Sequence, residues 1–280
     1  MKKKNNIEFS CLMSVYYKEN PDYLKQAIDS IINQTLLPNE FVIVEDGKLT
    51  DELEKVLKEY EKKYPWIRII KYKENRGLGV ALHDGVLECK YPYIARMDSD
   101  DISVPDRFEK QIEYLEEHPD VDCLGTNMTE YDETMKNVVC QKKVPKYHEE
   151  IYEYLKKRNP MNHPTVIYKK EKVLQANNYE DYPYFEDYYL WAKMIKNGCV
   201  FYNIQEELYN FRAGSSMINR RGGKQYLNCI KRFQLDLNRL EIVDKKTCKL
   251  NIVKRYIVAL LPNNLRGMLY KTFLRKKVKQ

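Results

Sequence analysis

Three carboxylates follow directly on a short apolar run in this sequence. The run spans residues 91–97, and the acids are Asp98, Asp100 and Asp101. Such a run is typical of a buried strand, and the carboxyl ends of strands in an open α/β sheet face the ligand crevice. Like charges this close repel one another unless a cation or hydrogen-bond donors compensate them. The spacing therefore predicts either a divalent-cation site that bridges to phosphate oxygens, or an acidic turn that caps a helix begun by Pro105.

The elements that must hold these acids alternate between strand and helix. Short apolar runs predict the strands, and apolar residues at helical spacing predict the helices. The predicted strands are residues 7–13, 41–44, 66–70, 91–97 and 121–126, and the predicted helices are residues 21–34, 51–63, 77–87 and 105–117. Strands that are each followed by a helix predict right-handed crossovers and a doubly wound parallel sheet.

The alternation ends after residue 126. The later pattern predicts a hairpin over residues 129–144, helices over 147–157 and 184–196, and short strands over 163–168, 200–202 and 208–212. We expect this mixed half to form a wall over the crevice at the acids.

Composition and cysteine usage favour a cytosolic protein. The apolar share of 43% in 280 residues is enough to fill a core. The seven Cys are odd in number and form no C-x-x-C pair, which is typical of reduced thiols. No secretory signal follows the polar residues 1–6, and no apolar run approaches the length of a membrane span. We expect a soluble or peripheral protein.

Charge divides the chain into an acidic body and a basic tail. Residues 221–280 hold 16 Lys/Arg and 3 Asp/Glu, a net charge of +13, so residues 1–220 contribute −6 to the total of +7. Apolar residues recur at helical spacing through 250–280 with Lys and Arg between them. This pattern predicts helices on an anionic membrane surface, or an amphipathic pair packed on the body. We therefore divide the chain into a domain of residues 1–215 and a basic amphipathic helical tail of residues 216–280.

Five motifs occur in the order expected for a known enzyme family. They are SCLMSVYYK at 10–18, VIVEDG at 42–47, NRG at 75–77, MDSDD at 97–101 and FED at 185–187. In this order they resemble family 2 glycosyltransferases of the GT-A fold, over about residues 7–215. The resemblance implies an α/β fold with a Rossmann-like nucleotide-binding sheet and a mixed acceptor-side half, followed here by C-terminal amphipathic helices.

The resemblance also implies roles for four acids. Asp100 is expected to ligate Mn²⁺ or Mg²⁺, and Asp98 to contact the ion or the ribose of the nucleotide. Asp46 is expected to accept a hydrogen bond from uracil. Asp187 resembles the family's catalytic base, although an acid at a helix N-terminus also complements the helix dipole. Inverting transfer from a nucleotide sugar needs both an acidic metal site and a separate carboxylate base.

Four further residues are candidates because of their positions. Ser14 and Lys18 resemble residues that line the nucleotide, although Lys18 fits a solvated loop equally well. His163 is a candidate contact for the metal or the diphosphate, or else a structural histidine before a proline. Arg212 lies where family members carry a mobile loop that closes over the donor, with nearby glycines as hinges.

The resemblance implies an inverting, metal-dependent glycosyltransferase. Its donor is expected to be a UDP-sugar, and its acceptor a hydroxyl of a glycan or an undecaprenyl-diphosphate-linked intermediate of a surface polysaccharide. We expect it in the cytoplasm, on the inner face of the cell membrane, with the anionic surface bound through residues 250–280.

Three other functions share some of these features. A sugar nucleotidyltransferase would carry a glycine-rich basic loop after the first strand, and residues 13–20 contain no glycine. A nucleic-acid-binding protein is disfavoured by the acidic body and by the apolar residues within the tail. A non-catalytic glycan- or nucleotide-binding relative is disfavoured because Asp98, Asp100 and Asp187 are all present.

Overall fold

The computed structural model describes residues 7–214 and 223–261. In this part of the chain a nine-stranded mixed sheet is packed by helices on both faces. The strands are β1 (Phe9–Val15), β2 (Glu40–Glu45), β3 (Ile67–Lys71), β4 (Tyr93–Met97), β5 (Ile102–Ser103), β6 (Cys123–Tyr131), β7 (Val138–Lys142), β8 (Ile167–Lys169) and β9 (Phe201–Arg212). The helices are α1 (Pro21–Ile32), α2 (Asp51–Lys63), α3 (Leu78–Glu88), α4 (Arg107–Glu117), α5 (His148–Leu155), α6 (Lys170–Gln175), α7 (Glu186–Lys196), α8 (Gly223–Arg239) and α9 (Lys245–Leu260).

The first four strands form the parallel half of the sheet, in the order β3-β2-β1-β4. Alternate side chains of these strands enter two different cores. Leu12 and Val42 pack under α3 and α7, whereas Met13 and Ile43 pack under α1, α2 and α4. Burial on both faces explains why these strands read as continuous apolar runs, and the predicted doubly wound arrangement is confirmed here.

The sheet becomes mixed beyond β4. β8 pairs antiparallel with both β4 and β6, and β9 pairs parallel with β6 and antiparallel with β5. The prediction that residues 121–126 complete the parallel half is wrong, because β8 lies between β4 and β6. The hairpin predicted over 129–144 is confirmed as the antiparallel pair of β6 and β7.

Two segments of the second half differ from their predicted form. The two strands predicted at 200–202 and 208–212 form one continuous strand, β9, which begins at Phe201. Its polar middle and its irregular register against β6 hide it from an apolar pattern. The predicted strand at 163–168 begins instead with a 3₁₀ turn, His163–Thr165. Pro164 lacks the N–H that a ladder requires, so pairing starts only at Ile167.

The helices α8 and α9 pack on the body through a shared aromatic core. Phe233 of α8 is fully buried and stacks on Phe185, with ring centroids 4.6 Å apart. α9 in turn contacts α8, and Tyr256 donates a hydrogen bond to the carbonyl of Leu227. The boundary predicted between residues 215 and 216 lies outside the described residues, as do residues 262–280 of the predicted membrane-binding stretch.

Candidate functional site

The three acids after β4 meet at the end of that strand, as the sequence predicted. Asp98, Asp100 and Asp101 each offer a carboxylate oxygen, and these oxygens lie within 4.8 Å of one another. β4 is flanked by β1 and β8, so its buried end fixes the backbone from which the acids project. Hard divalent cations prefer such an all-oxygen set.

Burial and mutual repulsion make this cluster electrostatically costly. Burial, followed by the charges of Asp98 and Glu19, raises the pKa of Asp100 to about 7. Burial and then the charge of Asp100 raise the pKa of Asp101 well above its usual range. One oxygen of Asp101, Oδ2, is buried and has no hydrogen-bond donor. A bound cation would supply the missing positive charge, so this donor set suits Mn²⁺ or Mg²⁺.

Arg212 holds the backbone of the acidic cluster. Its amide donates to Oδ1 of Asp101 at 2.7 Å, and its Nε donates to the carbonyl of Asp100 at 2.7 Å. Its other two nitrogens donate to the carbonyl of Glu133 and to Gln26, and the guanidinium lies 3.8 Å from the ring centroid of Tyr23. Because all three nitrogens already have protein acceptors, this geometry indicates a positioning role. Donor binding by Arg212 stays a prediction, and residues 215–222 of the segment predicted to form a mobile loop lie outside the described residues.

Arg96 is a site residue that the sequence analysis missed. Arg96 is fully buried in β4, two residues before Asp98, and its guanidinium forms an ion pair with the Asp98 carboxylate. Burial raises the pKa of Asp187 and of Glu186 on α7, and the charge of Arg96 offsets part of that rise. The sequence did offer a signal for this residue: an arginine within an otherwise apolar strand must have a partner, because a buried charge requires one.

Asp46 joins the end of β2 to the loop that opens α3. Its Oδ1 accepts the amide of Arg76 at 2.8 Å, and its Oδ2 accepts Asn75 Nδ2 at 2.9 Å and the amide of Gly77 at 3.0 Å. Gly47 permits this approach, because a Cβ there would lie 2.4 Å from the amide nitrogen of Asn75. The three donors leave one acceptor direction on the carboxylate, so the predicted contact with uracil stays open.

Ser14 and Lys18 lie at the end of β1 and in the loop beyond it. Ser14 is half-buried and pairs in register with Val44 of β2. Lys18 is exposed, with its ammonium 5.4 Å from the ring centroid of Tyr17. The same loop reaches the acidic cluster through Glu19, which accepts the hydroxyl of Ser99 at 2.6 Å. Ser14 and Lys18 therefore lie at the same end of the sheet as the acidic cluster, and their contact with the nucleotide stays a prediction.

The second acidic group starts α7. Oδ1 of Asp187 accepts the amide of Tyr188 at 2.7 Å, and Oδ2 accepts Nδ2 of Asn159. Burial raises the pKa of Asp187, while burial and the neighbouring Asp187 charge raise the pKa of Glu186 to about 7. Carboxylates with raised pKa values suit proton transfer near neutral pH.

His163 lies in an aromatic cluster and outside the group of three acids. Its Nε2 is 2.9 Å from the hydroxyl of Tyr179, and its ring meets Trp191 edge-on with centroids 6.0 Å apart. Burial, followed by the charge of Arg96, lowers the pKa of His163 well below its usual value. Within the described residues, the side chains that could share one cation are Asp98, Asp100 and Asp101, and His163 is not one of them. The structural alternative is therefore favoured, and the geometry gives metal ligation by His163 no support.

Comparison with known protein sequences gives a consistent result. Residues 10–176 match the family described as Glycosyl transferase family 2. The chain is 40% identical to an uncharacterized glycosyltransferase of Haemophilus influenzae, over 96% of this chain and 100% of that protein. It is 36% identical to the amylovoran biosynthesis glycosyltransferase AmsE of Erwinia amylovora, over 94% and 97%. It is also 35% identical to the UDP-Gal:alpha-D-GlcNAc-diphosphoundecaprenol beta-1,3-galactosyltransferase of Escherichia coli, over 96% and 97%.

Solved structures share the fold at low sequence identity. S. aureus TarS 1–349 in complex with UDP-GlcNAc superposes with a TM-score of 0.65 at 16% identity, covering 89% of this chain and 72% of that TarS chain. The mannosyltransferase PcManGT of Pyrobaculum calidifontis, in complex with GDP-Man and Mn²⁺, gives 0.58 at 13% identity, covering 95% and 82%. The expected GT-A fold is thereby confirmed.

Proposed function

Since this chain belongs to glycosyl transferase family 2, we propose that it transfers a sugar from a UDP-linked donor, with inversion, to a hydroxyl of a lipid-linked surface-polysaccharide intermediate. The observation that carries this proposal is the presence of two separate acidic groups beside one buried arginine. Asp98, Asp100 and Asp101 form one group, and Glu186 with Asp187 forms the other. The name of the Escherichia coli relative supports the donor and acceptor classes, and the name of the Erwinia amylovora relative supports a role in polysaccharide synthesis.

The acid cluster is the proposed binding site of the donor diphosphate. Asp98 and Asp100 would hold a Mn²⁺ or Mg²⁺ ion, which supplies positive charge to a diphosphate leaving group. Arg212 fixes the backbone of Asp100, and Arg96 fixes the carboxylate of Asp98. The protein thereby orients the ligands before a donor arrives, so that little reorganisation is needed during transfer.

Asp187 is the proposed general base. Its carboxylate takes the proton of the acceptor hydroxyl while that oxygen bonds to the anomeric carbon, and the bond to the UDP oxygen breaks with its electron pair. Asn159 and the Tyr188 amide hold the carboxylate in place. Attack on the face opposite the diphosphate inverts the anomeric configuration.

Calorimetric titration with UDP, with and without Mn²⁺, tests the donor site. We expect Mn²⁺-dependent binding by the native chain and its loss in Asp100→Ala. A panel of UDP-sugars, assayed with a diphosphate-linked acceptor, then identifies the donor. Absence of UDP binding under both conditions would contradict the UDP assignment.

An exposed face of α9 supports peripheral membrane association. Its exposed apolar residues are Leu250, Val253, Ile257 and Leu260, and its exposed basic residues include Lys246, Lys249 and Lys254. The apolar side chains are 49% to 71% exposed, and α9 contains no Asp or Glu. Among the described residues, no helix is both long and apolar enough to cross a bilayer. We propose that this surface, the α9 outer face, lies on the anionic inner face of the cell membrane.

Vesicle co-sedimentation tests this surface separately from catalysis. We expect binding to phosphatidylglycerol-containing vesicles, and loss of binding in the double variant Val253→Glu/Ile257→Glu. The matched control is Val138→Glu/Val139→Glu on β7, where two exposed valines lie elsewhere on the molecule. Equal losses in both double variants would reject the α9 outer face as the docking surface.

A further inference from the structure

Three cationic residues lie on the two segments that contact the start of α7, which are the loop after α5 and helix α9. Lys157 and Arg158 are exposed just beyond the end of α5, and Arg255 is half-buried on α9. In the described residues no Asp or Glu forms an ion pair with any of the three, whereas the neighbouring Lys156 pairs with Glu153. Cations left without counter-ions on a surface are available to an anionic ligand.

The position of Arg255 connects this basic group to α7. Its Nη2 donates to the carbonyl of Lys157 at 2.9 Å. Its guanidinium carbon is 5.8 Å from the ring centroids of Phe185 and Tyr188, the residues that flank Glu186 and Asp187. Arg255 therefore lies beside the start of α7.

Lys157 and Arg158 are connected through the backbone to Asn159, which contacts the proposed base Asp187. Arg158 immediately precedes Asn159, whose side chain donates to Oδ2 of Asp187. The hydroxyl of Tyr188 donates to the carbonyl of Leu155, which fixes the end of α5 against α7. The loop that carries the cations is thus anchored at the base.

Helix capping does not account for Lys157 and Arg158. Basic side chains often complement the last carbonyls of a helix. Here the carbonyls from the last residue of α5 onward have other donors: Leu155 accepts from Tyr188, Lys156 from Asn251, and Lys157 from Arg255. Neither cationic side chain is used for this purpose.

We propose that Lys157, Arg158 and Arg255 bind the diphosphate of a prenyl-diphosphate-linked acceptor. This inference rests on the proposed function for the acceptor class. Asn159 connects Asp187 to the loop that carries Lys157 and Arg158, and Arg255 connects that loop to α9, which bears the apolar outer face. Along such an acceptor the order is sugar hydroxyl, diphosphate and prenyl chain, so each part meets the chemistry that binds it. Arginine and lysine form charge-assisted hydrogen bonds with phosphate oxygens, and arginine can do so with two nitrogens.

Binding of a soluble prenyl diphosphate tests the site without knowledge of either sugar. Farnesyl diphosphate is titrated calorimetrically, below its micelle concentration, into the full chain, with farnesol as the uncharged comparison. We expect farnesyl diphosphate to bind, and the double variant Lys157→Ala/Arg158→Ala to bind it about tenfold more weakly or worse. Farnesol binding should be unchanged by this substitution.

Two controls separate this site from general surface charge and from the donor site. Lys62→Ala/Lys63→Ala removes an exposed basic pair from the end of α2 and should leave farnesyl diphosphate binding unchanged. Mn²⁺-dependent UDP binding should persist in Lys157→Ala/Arg158→Ala, because the donor diphosphate is assigned to the acids after β4. Arg255→Lys should retain more binding than Arg255→Gln.

The opposite results would overturn the proposal. Equal farnesyl diphosphate affinity in the native chain and in Lys157→Ala/Arg158→Ala would reject the site, as would an equal loss in the α2 control. No binding by the native chain would also reject it, while leaving UDP binding as a separate test of the proposed function. A loss of UDP binding in the double variant would reassign the cations to the donor.

Discussion

The two acidic groups of this site differ in how the chain builds them. Asp98, Asp100 and Asp101 are neighbours in sequence and meet at the end of one buried strand. Glu186 and Asp187 begin a helix, and the loop after α5 holds Asp187 through Asn159. Burial and neighbouring like charge raise pKa values in both groups, but the first gathers three carboxylates within 4.8 Å, which suits a cation, whereas the second holds Asp187 by two donors, which suits proton transfer. Similar carboxylates thus acquire different chemistry from their surroundings.

The proton-handling group gives the sharpest test of this comparison. Asp187→Asn keeps the size of the side chain and one acceptor oxygen, replaces the other oxygen by an NH₂ group, and removes the basicity. We expect transfer to fall by about a thousandfold, within the range for a general base, while UDP binding is retained. Transfer rates and calorimetric UDP affinities are measured on the same preparation. Loss of UDP binding together with activity would show that the two groups are not functionally separate.

The cation-binding group should give the complementary result. In Asp100→Asn one charge of the cluster is removed, so we expect metal-dependent UDP affinity and transfer to fall by about a hundredfold. Titration with Mn²⁺ should show weaker metal binding. The matched variant is Asp106→Asn, a half-buried acid at the start of α4 whose carboxylate pairs with Lys110 and which should change neither quantity. Unchanged Mn²⁺ dependence in Asp100→Asn would contradict the assignment.

Arg96 links the two groups, and replacing it tests that link. Arg96→Met leaves Asp98 without its ion pair and removes a positive charge that favours ionised Asp187. We expect transfer to fall by about tenfold and the melting temperature to decrease, since breaking a buried ion pair is destabilising. Arg96→Lys keeps the charge and should recover part of the transfer rate and part of the melting temperature. If Met and Lys variants behave alike, charge is not what Arg96 supplies.

The pH dependence of transfer should show the smallest effect. Burial raises the pKa of Asp187 and of Glu186, the latter to about 7, so protons bind this pair at a higher pH than they bind exposed carboxylates. A protonated base cannot accept the acceptor proton. The rate should therefore decrease by a few-fold, about two to five, between pH 8 and pH 6. A profile of kcat/KM that stays flat down to pH 5, with the protein still folded, would contradict this expectation.

The two halves of the sheet differ in how well their strands and helices could be predicted from the sequence. In the parallel half the strands β1, β2 and β4 are buried on both faces, and β1 to β3 are each followed by a helix, so local apolar runs identify the elements. In the second half β9 pairs with two strands along an irregular register, and its polar middle resembles a loop. The order β4-β8-β6 follows from long-range pairing that no local pattern encodes.

The sequence by itself determined the family, the parallel half of the sheet and the positions of both acidic groups. These depend on local periodicity and on motifs in a fixed order, both of which can be recognised in the sequence without knowledge of tertiary contacts. Only the tertiary structure decided that Arg96 faces Asp98, that Arg212 is engaged by protein acceptors, and that His163 lies among aromatic rings. Those roles depend on which side chains meet across the sheet, because burial and neighbouring charge decide what an ionisable group can do.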